Sequence, residues 1–112
     1  MVDDVNEIRL VGRVSGEPLV RELPSGDEVV TFRLVVRRDG KRRPGAPTCD
    51  TLDVACWSAS SRRTARALAD QQVVELSGAL RRRFWRTPGG PASRYEVEAS
   101  SLRARKGAVV SS

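Results

Sequence analysis

The segment GALRRRFWR, residues 78–86, places arginines directly beside two aromatic residues. Successive side chains of a β-strand point to opposite faces, so Arg81, Arg83 and Trp85 would emerge together on one face. Guanidinium groups bind phosphates, and an indole ring offers a base a flat surface on which to stack. The pattern therefore predicts a binding surface for a single strand of nucleic acid. A solvated basic strand whose Trp85 packs under a neighbouring loop would give the same pattern.

The other aromatic residues are assigned by the same alternation. Phe84 and the aliphatic part of Arg82 fall on the opposite, inward face, and Tyr95 has inward parity too, so we expect both aromatic rings in the core. Trp57 faces away from the core and is predicted to be a second stacking residue. A lid over the end of a barrel, or a contact between subunits, is the alternative for Trp57.

Further basic residues could extend this surface. Arg33 and Arg37 alternate with core positions on a predicted strand, and they could equally be ordinary surface charges. The loop RRDGKRRPG could act as a flexible basic arm or could simply be solvated. The candidates in this loop are Arg38, Lys41 and Arg42. On the predicted helix, Arg62, Arg63 and Arg66 are interpreted as a solvated face.

The charge distribution favours an anionic polymer as partner. The chain has 112 residues, enough for one domain, and its 20 Lys and Arg against 14 Asp and Glu give a net charge of +6. Residues 1–30 hold seven acids and three arginines, so the remaining 82 residues carry +10. This uneven charge distribution favours nucleic acid as the partner, followed by an anionic membrane surface.

Several function classes are excluded by residue type. The chain has no histidine, which removes Cys–His and Ser–His–Asp nucleophile systems, and it contains no P-loop. Asp50 and Asp53 could in principle hold Mg²⁺ for a nuclease, but they are three residues apart, which places them on opposite faces of a strand. We therefore expect no enzymatic activity and no cofactor. Two cysteines without histidine also argue against a zinc site.

Cys49 and Cys56 would lie about 23 Å apart on an extended chain, too far for a disulfide. No apolar run approaches the roughly 18 residues that cross a bilayer, and the start MVDDVNE is acidic. We expect a cytoplasmic, nucleoid-associated protein with no membrane partner.

Period-two alternation along most of the chain predicts five or six strands, and these fit a small closed or partly open barrel. A long loop is expected at residues 38–50, and one short helix at SASSRRTARALA, residues 58–69, with serines suited to its N-cap. The alternating segments are residues 6–14, its extension EPLVREL, 29–37, 51–57, 73–85 and 93–100.

Residues 5 to about 102 resemble the bacterial single-stranded DNA-binding proteins. The resemblance is carried by VNEIRLVGRVSGEPLVRELPSGDEVVTFRL and by the G-x-L-R-x-R-x-W pattern from Gly78 to Trp85. It implies an all-β OB-fold, a five-stranded Greek-key barrel with a helix between strands 3 and 4. It also implies homotetramers, or dimers, that wrap single-stranded DNA without sequence preference in replication, repair or recombination. Trp57 and Trp85 match stacking positions, and Arg81 and Arg83 match phosphate contacts.

This chain departs from the family pattern in three respects. Residues 38–56 contain no aromatic residue, so two stacking platforms typical of the family are missing, and binding should depend more on phosphate contacts and on salt. The sequence ends at GAVVSS without an acidic tip, so recruitment of replication proteins through such a tip is not expected. We expect one domain with a core at residues 5–102 and a frayed tail at 103–112.

Two other functions fit the residues. A module that binds single-stranded RNA would need the same basic residues and stacking aromatic residues. An OB-fold interaction subunit resembling primosomal replication proteins would mainly contact protein partners. The presence of Trp57 and Trp85 argues against the second alternative.

Overall fold

A computed structural model describes residues 3–40 and 43–109, with side chains as far as residue 105. The elements are β1 (Ile8–Glu22), β2 (Glu28–Arg37), β3 (Cys49–Cys56), α1 (Ala59–Arg66), β4 (Gln72–Thr87) and β5 (Gly90–Val109). The strands close a barrel in the order β1-β2-β3-β5-β4. Neighbouring strands are antiparallel except β3 and β5, which are parallel. The expected five-stranded barrel, with its helix between the third and fourth strands, is confirmed.

Alternating aliphatic residues fill the barrel. Val14, Leu34, Val54 and Leu76 come from four different strands and are almost fully buried. Their β-branched and aliphatic side chains suit a pleated surface with one dry face. Ala55 is also buried, although its parity predicts the wet face. Its methyl group lies between Thr31 of β2 and Glu98 of β5, and such longer neighbours can cover a small side chain.

Strand β1 is continuous, which decides between five strands and six. The segment EPLVREL continues β1 after an irregularity between Ser15 and Leu19. Gly16 turns the chain there with a φ of +82°, a conformation that glycine adopts without steric cost. The Gly16 N–H donates to Asp70 Oδ1 at 2.8 Å, so the irregularity is tied to the segment that follows the helix.

The helix begins where the serines predict and ends earlier than predicted. Ser58 is the N-cap, and its Oγ accepts a hydrogen bond from the Ser61 N–H at 3.2 Å. The prediction of a helix to residue 69 is wrong, because the chain tightens after Arg66: the Leu68 N–H donates to Ala65 O, three residues back. Ala65 and Leu68 still close one part of the core.

Two predicted boundaries are also corrected. The loop expected at residues 38–50 ends earlier, because Cys49 and Asp50 already pair with β2. Residues 103–109, expected to fray, continue β5, and Val109 pairs with Gln72 of β4. In the part of the chain that the structure describes, no helix is long and apolar enough to span a bilayer.

Strands β4 and β5 extend beyond the barrel. Strand β1 pairs with β4 only as far as Gly78, and β3 first pairs with β5 at Val97. Residues 80–96 therefore form a two-stranded arm, here called the β4–β5 hairpin. Directly opposed residues share a face, which divides the arm in two. The outer face carries Arg81, Arg83, Trp85, Ala92, Arg94 and Glu96; the aromatic face carries Leu80, Arg82, Phe84, Arg86, Pro91, Ser93 and Tyr95.

Candidate nucleic-acid interface

The outer face of the hairpin brings together the three residues that the sequence singled out. Arg81, Arg83 and Trp85 alternate along β4 and lie opposite residues of β5 that point the same way. The Trp85 ring keeps part of its surface in solvent, with 37% of the residue exposed. The predicted juxtaposition of two guanidinium groups with one indole is therefore present on this face.

Carboxylates already pair with both arginines. Arg81 Nε lies 3.3 Å from Glu98 Oε2, and Arg83 Nη1 lies 3.9 Å from Glu96 Oε2. Glu96 is only 6% exposed, so this negative charge sits beneath the surface of the hairpin. A phosphate that binds here would either share each guanidinium group with its carboxylate partner or displace that carboxylate. The five N–H donors of arginine permit sharing.

Arg94 belongs to the same constellation, and our sequence interpretation missed it. It lies directly opposite Arg83, and its guanidinium carbon is 5.5 Å from the centroid of the Trp85 ring. Arg94 Nη1 is also 3.2 Å from Asp53 Oδ2 on β3. Counting residues back across the hairpin turn would have identified the cross-strand position of Arg94. Its bond to Asp53 depends on the parallel β3–β5 pairing, which local sequence does not show.

A groove of about 430 Å³ lies between the hairpin and the surface of β1, β2 and β3. Arg33 and Asp53 are opposite each other on β2 and β3, and both line the groove together with Arg83 and Arg94. The lining includes four arginines and three carboxylates, because Arg21, Glu17 and Glu96 also reach it. Arg33, Asp53 and Arg94 therefore connect the barrel wall to the outer face of the hairpin.

Arg37 and Arg38 lie away from the groove lining. Arg37 is exposed at the end of β2. Arg38 makes two hydrogen bonds to Asp50, from Nε to Oδ2 at 3.0 Å and from Nη2 to Oδ1 at 2.7 Å. This contact raises the pKa of Arg38 and lowers the pKa of the Asp50 carboxyl. Lys41 and Arg42 lie outside the described residues.

Trp57 is separate from the groove lining as well. It follows the last residue of β3, precedes the N-cap Ser58, and is 36% exposed. Its exposure agrees with the outward direction predicted for it. A stacking role for Trp57 stays a prediction.

The placement of Phe84 and Tyr95 in the core is wrong. They are 69% and 61% exposed, respectively. Both do have the parity of inward residues, but they lie on the aromatic face of the hairpin, beyond the point where β1 and β3 flank it. The alternation along a strand indicates only which face a side chain is on. The core of the barrel ends before β4 and β5 reach Phe84 and Tyr95.

Both cysteines are free thiols at opposite ends of β3, as their spacing predicted. Cys56 is buried, and this burial raises the pKa of its thiol to about 11. Among residues 3–40 and 43–109, no three His, Cys, Asp or Glu side chains form a group that could hold a metal ion.

Comparisons with known proteins show which proteins this chain is similar to. A model of the family described as "Single-strand binding protein family" matches residues 5–104. Single-stranded DNA-binding protein 1 of Synechocystis sp. is 28% identical over 100 residues, which are 88% of this chain and 81% of that protein. Single-stranded DNA-binding protein A of Bacillus subtilis is 28% identical over 88% of this chain and 58% of its own length. A solved structure entitled "Plasmodium falciparum SSB complex with ssDNA" has a TM-score of 0.78 and 25% identity, covering 95% of this chain and 99% of that one.

Proposed function

Since this chain belongs to the single-strand binding protein family, it is a single-stranded DNA-binding protein, and we propose that it holds the strand without sequence preference. The proposed surface is the outer face of the hairpin and the adjoining groove. The observation that carries this placement is the contact of Arg94 with both Trp85 and Asp53, because it joins the stacking ring to the basic groove.

Different residues of this surface would stack on bases and bind phosphates. Trp85 presents a partly exposed ring, and Arg94 restrains it by lying against it. Arg33 and Arg83 line the groove beside it and supply guanidinium groups for phosphates. Every base has a π-face and every nucleotide a phosphate, so neither contact reads base edges. Binding would therefore tolerate any sequence.

The proposal includes a binding role in replication, repair or recombination, without catalysis. A nucleoid-associated, cytoplasmic location follows from DNA as the partner. A homotetramer, or alternatively a dimer, rests on family membership alone. Arg37, Arg38, Lys41, Arg42, Arg81 and Trp57 remain proposed additional contacts to the strand.

An oligo-dT titration followed by tryptophan fluorescence tests this function. In a Trp57→Phe variant, Trp85 is the only indole, and its emission should be quenched as bases stack on it. A Trp85→Phe variant reports on Trp57 in the same way. An oligonucleotide of mixed sequence should quench to the same extent as oligo-dT, and matched RNA should bind more weakly. Absence of both quenching and a mobility shift at low salt would overturn the proposal.

A further inference from the structure

The aromatic face of the hairpin presents exposed rings that the proposed function does not use. Phe84 and Tyr95 are the two most exposed aromatic residues of the chain, and Leu80 beside them is also exposed. Ordinary solvent-facing strands carry few such rings, because each leaves apolar area in water. This face therefore requires an explanation separate from that of the outer face.

Arg82 organises the two rings. Its guanidinium carbon lies 5.0 Å from the centroid of Phe84 and 5.4 Å from that of Tyr95. Its Nε and Nη2 donate to Ser93 Oγ at 3.3 and 3.0 Å, which fixes the plane of the guanidinium. Three flat groups are thereby held side by side before any ligand arrives. Such preorganisation reduces the ordering cost of binding.

The charges of the two hairpin faces differ in a way that sequence composition does not show. On the outer face, Arg81, Arg83 and Arg94 each have a carboxylate partner. The aromatic face contains no acidic residue, and neither Arg82 nor Arg86 makes an ion pair with any described residue. Its positive charge is therefore available to an external anion.

We propose that the aromatic face is a second stacking surface for single-stranded DNA, an inference that rests on the proposed function. Bases stack on Phe84 and Tyr95, and phosphates bind Arg82 and Arg86. The strand that occupies the outer face thus continues around the hairpin. These rings supply stacking area in a chain whose residues 38–56 contain no aromatic residue.

A second copy of this chain is a poorer occupant. In a two-fold symmetric contact the same patch lies on both subunits, so Arg82 and Arg86 of both copies would enter one interface. Four guanidinium groups would then be brought together without a carboxylate on either patch. A polyanion with planar bases complements both the rings and the charge.

The test compares Phe84→Ala and Tyr95→Ala with the parent protein on dT oligonucleotides of two lengths. One is about 8 nucleotides long, within the range that one OB-fold covers, and the other about 30. Each variant should weaken binding to the long oligonucleotide roughly 5- to 150-fold, as expected for a lost stacked base, and leave the short one largely unaffected. Phe84→Leu keeps the apolar bulk without the ring and should weaken binding similarly, whereas Val20→Ala, an exposed residue of β1, should not.

Photocrosslinking with 5-iodouracil in the long oligonucleotide provides an independent readout. Crosslinks at Phe84 or Tyr95 are expected in addition to those at Trp85. Crosslinks at tryptophan only, with unchanged affinity of the Phe84→Ala and Tyr95→Ala variants, would overturn the second surface but leave the proposed function intact. A change of oligomeric state in the variants without a change in affinity would assign the face to contacts between copies. No binding by the parent protein would refute the proposed function itself.

Discussion

Asn6 holds Leu80 through both groups of its side-chain amide. Asn6 Nδ2 donates to Leu80 O at 2.8 Å, and the Leu80 N–H donates to Asn6 Oδ1 at 2.9 Å. The pair lies just past Gly78, the last residue of β4 that pairs with β1. The Asn6 side chain thus adds one more pair of hydrogen bonds beyond the backbone pairing of β1 with β4. It does so where the hairpin leaves the barrel, here called the root of the hairpin.

Replacing Asn6 with alanine should loosen the root of the hairpin. Two hydrogen bonds are lost from an exposed site, so the free energy of unfolding should fall by about 1 kcal/mol, the lower part of the range for such bonds. The Leu80 amide should exchange its hydrogen faster. Asn6→Asp retains the acceptor for that amide and should show a smaller change. Unaltered exchange at Leu80 in Asn6→Ala would contradict this role.

Replacing Trp85 with alanine should weaken DNA binding by about 1–3 kcal/mol, because one stacked base loses its platform. The loss should be equal for oligo-dT and for mixed sequences, which fluorescence anisotropy with labelled oligonucleotides would measure. Trp85→Phe keeps a smaller ring and should lose less. A loss confined to one sequence would indicate base readout instead.

Removing the carboxylate beside Arg81 should strengthen binding. Glu98→Gln frees the guanidinium that Glu98 now contacts at 3.3 Å, so one more cation is available to phosphate. The slope of log affinity against log salt should steepen by about 0.7. Glu22→Gln removes the same charge at the β1–β2 turn, outside the groove lining, and serves as the control. Equal gains in both variants would mean that only net charge matters.

Salt dependence of the unmodified protein tests the balance between phosphate contacts and stacking. With about five phosphates neutralised on a single strand, the log–log slope should be near −3.5. The ion pairs of Arg81, Arg83 and Arg94 with carboxylates would make the slope shallower if they persist in the complex. Titrations at several salt concentrations measure it. A slope near zero would show that phosphate contacts contribute little.

Glu75 should make stability depend on acid pH. Its carboxylate contacts Arg9, Arg103 and Arg105, and these hydrogen bonds lower its pKa from 4.5 to about 2. A pKa that is lower in the folded state stabilises the fold above the unfolded pKa, and this contribution is lost as pH falls through the folded one. Thermal unfolding should show the loss between pH 4.5 and about 2. Glu75→Gln should remove that component, whereas Glu22→Gln should keep it.

The sequence by itself determined which segments form strands, which face of each strand is buried in the barrel, and where the helix begins. Period-two alternation placed Val14, Leu34 and Val54 inward, and Ser58 marked the start of the helix. These features depend on local chemistry: a strand alternates its faces, and a serine oxygen satisfies the first free N–H groups of a helix. The same rule correctly put Arg81, Arg83 and Trp85 on one face.

The tertiary structure alone decided where the core ends and which charges meet. Phe84 and Tyr95 have inward parity, yet they are exposed because β4 and β5 run past their neighbours in the barrel. Arg94 reaches Asp53, 41 residues away in sequence, only because β3 and β5 lie side by side. Alternation fixes the direction of a side chain relative to its own strand, whereas burial and ion pairing depend on which distant strands lie beside it.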